Sequence, residues 1–148
     1  MSNSFSATTE VNRPIDQVFA FLADGTNDPK FSPRVQEITK ATDGPPGVGT
    51  VYASTVKDAG MTSKREFELT EFVSPSKIGW TERSKNMITV PEGGYDLEPA
   101  GERATRLTIH NTFQGHGFGK VILPLALRSA RKDADAFAAR IKAAVEAG

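Results

Sequence analysis

Three polar residues share a strand face with apolar neighbours. Along 61–73, Phe67, Leu69 and Val73 define one face, and Ser63 and Arg65 fall on it. Along 77–84, Ile78 and Trp80 carry Glu82 to the same side. Between 103 and 114, Leu107, Ile109 and Phe113 turn Asn111 inward and His110 outward. An arginine there can hold an acceptor, a carboxylate can move a proton, and an amide can donate and accept at once. A buried charge costs several kcal/mol unless it is paired or hydrogen-bonded. These groups therefore read either as polar points in an apolar interior or as strand ends that reach water. Counting through the turn at Pro75 sets Glu82 near Leu69, some four residues along the strand from Arg65. At about 3.3 Å per residue that spacing predicts no direct pair.

The remaining chemistry is sparse. His116 lies in Gly115-His116-Gly117-Phe118-Gly119, a loop before the last helical segment, and joins Glu82 and Asn111 as a weak candidate for catalysis. With two histidines and no cysteine, a zinc site is not expected. No cofactor is implied. Gly44-Pro45-Pro46-Gly47-Val48-Gly49-Thr50 lacks the Gly-Lys-Ser/Thr ending of a phosphate loop and leads into a strand, so it reads as a tight turn. No serine elbow or Ser/His/Asp arrangement is present.

Eighteen basic residues balance eighteen acidic ones, which leaves no global field for nucleic acid. Hydrophobic residues at 38% and charged residues at 24% are ordinary for one globular domain over 1–148. The longest apolar run, Val121 to Leu127, contains Pro124 and is too short to span a bilayer. The chain reads as soluble and cytoplasmic.

The elements follow from periodicity. Phe5, Ala7, Thr9 and Val11 alternate as a strand, and Ile15, Val18, Phe19 and Leu22 then form one face of a short helix. Asn12 is the expected cap, with Pro14 in the first turn. Asp24 to Pro29 end that helix, and a second helical turn covers 28–31. Strands are expected at 34–42, 49–58, 61–73, 77–84, 86–91 and 103–114, with Glu92-Gly93-Gly94 a turn or bulge. A long helix over 120–146 carries the apolar stripe Val121, Leu123, Leu127, Ala130, Ala134, Phe137, Ile141 and Val145. Such a sheet buries one face by wrapping around that helix, an α+β arrangement.

Four stretches in this order resemble the START-like (Bet v 1-like) superfamily, in particular its bacterial polyketide cyclase/dehydrase and lipid-transport group. They are Arg13-Pro14-Ile15-Asp16-Gln17-Val18-Phe19, Asn27 through Pro33, Gly47-Val48-Gly49-Thr50-Val51-Tyr52, and Gly119-Lys120 through Pro124-Leu125. Phe31 stands where the group usually has tryptophan. The resemblance implies a helix-grip fold, a seven-stranded curved antiparallel sheet around the C-terminal helix with an apolar cavity between them. It carries over no catalytic residue, because the superfamily shares no single catalytic set.

Within that fold the expected ligand-binding wall comprises Phe19 and Phe31 from the short helices, then Arg65, Phe67 and Leu69 on one strand. Trp80 and Glu82 follow on the next, Asn111 and Phe113 on the last, and Leu123 and Leu127 on the long helix. The first functional expectation is a carrier or binding protein for a hydrophobic small molecule, lipid-like or polycyclic. A cyclase or dehydratase using the same cavity is the alternative, and an interaction module with a filled pocket is the third.

Overall fold

A computed structural model describes residues 3–58 and 60–148. Strand β1 (Ser4–Val11) buries Phe5, Ala7 and Val11, as its alternation requires. Helix α1 (Ile15–Ala23) buries Val18, Phe19 and Leu22. Pro14, not Asn12, occupies its N-cap, and no side chain caps it. The Asn12 backbone N–H is instead taken by Glu146 Oε2 at 2.8 Å, a contact with the far end of the chain. The residues expected to end α1 form a 3-10 helix over Gly25–Lys30. Asp24 starts it by accepting the Thr26 N–H at 3.0 Å.

The remaining strands are β2 (Val35–Lys40), β3 (Val51–Asp58), β4 (Met61–Val73), β5 (Lys77–Glu82), β6 (Ile88–Pro99) and β7 (Thr105–Gly115). They form one antiparallel sheet in the order β1-β7-β6-β5-β4-β3-β2. Helix α2 (Gly119–Ala147) runs along its inner face. This is the helix-grip α+β fold.

Two departures from the expected strands control the interior. In β4 the pairing with β5 slips between Leu69 and Glu71, a β-bulge that adds one residue. The bulge reverses parity, so Phe72 packs on the core and Val73, expected inside, is 51% exposed. In β6 the irregularity lies between Thr89 and Glu92, and the strand then continues through Gly93 and Gly94 without turning.

Helix α2 is fastened to β1 along its length. Arg131 Nε donates to the Ser4 carbonyl at 3.0 Å, and Lys142 Nζ to the Glu10 carbonyl at 2.9 Å. Ala134, Ala138, Ile141 and Val145 are buried beneath it. The stripe's first member is not: Val121 is 67% exposed. Among the described residues no helix is long and apolar enough to cross a membrane.

Candidate functional site: an apolar cavity with two polar poles

The curled sheet and α2 enclose a cavity of about 400 Å³. Phe67, Leu69, Ile78, Trp80, Phe113 and Phe137 make its wall predominantly apolar. Its volume traces to α2, which turns Ala126, Ser129 and Ala130 toward it, small residues at i, i+3 and i+4 on one helical face. Larger side chains there would fill the space between helix and sheet.

The first pole is built around Glu82. Its side chain is 0% exposed, and it accepts five hydrogen bonds from four donor residues. Arg65 Nη1 reaches both carboxylate oxygens at 3.0 and 3.1 Å. The Val90 N–H donates to Oε1 at 3.0 Å, Ser84 Oγ to Oε2 at 2.6 Å and Asn86 Nδ2 to Oε2 at 2.9 Å. Arg65 Nη1 also donates to the Ile88 carbonyl at 3.1 Å. The bulge makes this pair possible, since it sets Glu82 opposite Phe67, only two residues from Arg65. The expected separation of the two charges is therefore corrected. Glu82 lies behind Arg65, and Arg65 faces the cavity with its side chain 23% exposed.

Beside this pole, Trp80, Gly93 and Asn111 face one another across β5, β6 and β7. Trp80 Nε1 donates to Asn111 Oδ1 at 3.0 Å, directly over Gly93. A Cβ on Gly93 would collide with both atoms. The glycine read as a turn signal is thus a close-approach position inside a strand. The Trp80 ring also meets the Tyr95 ring edge-on, centroids 4.9 Å apart.

The second pole comprises Asp28, Tyr52 and Tyr95, all on the cavity wall. Asp28 is carried by the 3-10 helix. Burial pushes its carboxyl up to about 7, and the negative charge of Asp24 adds to the effect. Among the described residues nothing hydrogen-bonds that carboxyl. Burial also raises the Tyr95 hydroxyl well above the ordinary phenol range, reinforced by Asp28. Tyr52 is raised by burial too, against a lowering hydrogen bond from the Gly25 backbone, and its hydroxyl donates to the Ala23 carbonyl at 3.3 Å. Phe31 closes this end: it packs on Phe137 at 6.1 Å between centroids, and Arg140 Nε holds its carbonyl at 3.2 Å.

A seven-stranded grip on one helix, an apolar cavity and few polar wall groups agree with a match over residues 2–146 to the family described as polyketide cyclase/dehydrase and lipid transport. The chain belongs to that family. None of the curated proteins matches it. Among solved structures, a protein of Thermus thermophilus superposes with TM-score 0.78 at 16% identity, covering 97% of both chains. An aromatase/cyclase from Streptomyces sp. R1128 gives 0.78 at 15% identity, covering 99% of this chain and 94% of its own. A START superfamily protein from Mycobacterium smegmatis gives 0.71 at 17%, covering 95% and 97%. At these identities the likeness establishes the fold.

For this member of the family, Arg65, Phe67, Leu69, Trp80, Asn111 and Phe113 lie on the cavity wall, on the strand faces their parities predict, and Phe31 joins them from the end of the 3-10 helix. Phe19 does not; it is buried in the core against Phe72, ring centroids 5.2 Å apart. Leu123 and Leu127 also fall off the wall, because α2 turns its small residues inward and leaves Leu123 half-buried and Leu127 packed away from the cavity. His116 is exposed and shares a 2.8 Å hydrogen bond with Thr89 Oγ1 outside the cavity. His110 lies on the outer face near Asp96, at 3.2 Å. The sequence reading missed Asp28, Tyr52 and Tyr95. Tyr95 follows Ile78 and Ile109 across the sheet, a signal visible only with the register in hand.

Proposed function

We propose that the chain binds a hydrophobic small molecule, lipid-like or polycyclic, in this cavity and orients its polar end with Arg65 and Asn111. The observation that carries the reading is a space of about 400 Å³ whose apolar wall is interrupted by polar groups at a few fixed points, the pattern of a ligand site. Arg65 is held in place through one nitrogen, which leaves the rest of its guanidinium for an acceptor on the ligand. A carrier explains the polar residues better than an enzyme does. Glu82 is saturated by donors and screened from the cavity, and His116 lies outside it, so neither is placed to move a proton on a ligand.

The test is uptake of a neutral naphthalene dye, followed by its fluorescence, in the parent protein and in Ala130→Phe. The larger side chain occupies the cavity from α2 without touching either pole. Uptake is expected in the parent and a loss of tenfold or more in the variant. Equal uptake by both, with the variant folded, would remove the cavity as the site.

A further inference from the structure

The two poles are not equivalent, and the second is incomplete. Asp28 is half-buried on the cavity wall, and nothing among the described residues hydrogen-bonds its carboxyl. Its surroundings are acidic or aromatic. Asp24 lies just before it and bears on it, and the charge of Asp28 bears in turn on Tyr52 from β3 and Tyr95 from β6. The nearby cations are directed elsewhere. Lys30 stands over the Phe21 ring at 5.5 Å. Arg140 from α2 is engaged by Asp133 at 2.9 Å and by the Phe31 carbonyl. Arg34 shares the cavity wall, and its charge bears on Asp133.

From this geometry we infer that Asp28 is the anchor for a protonated amine, so that the cavity takes an apolar ligand that carries an ammonium group. A buried carboxylate is stabilised by a cation within hydrogen-bond reach. Among the described residues none hydrogen-bonds the Asp28 carboxyl, and the cavity it lines has room for one. The negative Asp24 favours a cation again and disfavours a carboxylate. The inference rests on the cavity-binding reading above and specifies the class of ligand.

The linkage has a definite sign. Ammonium binding favours ionised Asp28, which in the free protein carries its proton up to about pH 7. Affinity for an amine therefore rises as pH passes through that range, as long as the amine stays protonated.

Three probes of one shape separate the possibilities: 2-(1-naphthyl)ethylamine, 2-(1-naphthyl)ethanol and 1-naphthylacetic acid, titrated calorimetrically into the full chain. At pH of about 8 the amine is expected to bind on the order of tenfold tighter than the alcohol, and the acid weakest. At pH of about 5.5 the amine's advantage shrinks towards parity. In Asp28→Asn the advantage is absent at both pH values while the alcohol still binds, which also shows that the variant is folded. The parent's pH series needs no variant, so a misfolded Asp28→Asn leaves the decision intact. Equal affinity for amine and alcohol at pH of about 8, or an amine preference that survives in Asp28→Asn, overturns the anchor and leaves the cavity reading standing. Failure of all three probes overturns both.

Discussion

The two polar poles of one cavity are built on opposite principles. At Glu82 every lone pair that points inward meets a donor from its own chain, and the carboxylate is closed off behind Arg65. At Asp28 a carboxyl of the same chemistry is left without a donor and in contact with the cavity. Buried polar groups in folded chains are almost always satisfied internally. The satisfied pole is therefore architecture, holding β4, β5 and the start of β6 in register. The other is open to the cavity, where a ligand group can meet it.

The contrast can be broken most severely at the closed pole. Arg65→Ala leaves the fully buried Glu82 without its counter-charge, and urea unfolding should show a loss of about 3 kcal/mol. A loss under about 1 kcal/mol would mean that the other donors suffice and that Arg65 serves the ligand alone. Between the poles, Gly93→Ala forces a methyl into the Trp80–Asn111 hydrogen bond, for an expected cost of about 2 kcal/mol. Emission from Trp80, the one tryptophan of the chain, should shift in the same variant, and an unchanged spectrum would show that the bond is dispensable.

The smallest effect belongs to the open pole and has the opposite sign. Asp28 titrates near 7 when folded and near 3.8 when unfolded, so the folded chain binds the extra proton between those values. Stability should fall as pH rises from about 4 to about 7 and stay reduced above it. Asp28→Asn removes that penalty, raising stability by on the order of 1–2 kcal/mol at pH of about 8 and by nearly nothing at pH of about 4. Thermal melts of parent and variant at both pH values measure it, and equal melts at pH of about 8 would show Asp28 to be well solvated.

Periodicity made most of the fold legible. The alternation in β1, the limits of β4 and the long apolar repeat of α2 are readable because burial on one face enforces them. The interior was legible only in part. The bulge in β4 has no sequence mark, since one extra residue changes pairing without changing residue type, yet it decides that Arg65 meets Glu82 and that Phe72 replaces Val73 inside. Gly93 resembles a turn residue because glycine is used both for freedom and for closeness, and only the partners across the sheet distinguish the two. Asp28 looked like one more polar residue ending a helix. Ala126, Ser129 and Ala130 looked like ordinary helix formers, although they shape the cavity by what they lack. Leucines at 123 and 127 drew attention for their size, and size is what a helix facing a cavity avoids.

The fastening of β1 to α2 has a bearing on how the molecule is made. Thr8 meets Thr108 across the β1–β7 seam at 2.9 Å, and the Asn12 N–H meets the side chain of Glu146. During synthesis neither the sheet partner of β1 nor its covering helix exists until some hundred residues after it. Until then its row of Phe5, Ala7 and Val11 has no permanent cover, an interval in which chaperones and misassembly compete. The cavity is formed only when α2 closes over it, and a ligand can be taken up no sooner than α2 has been made.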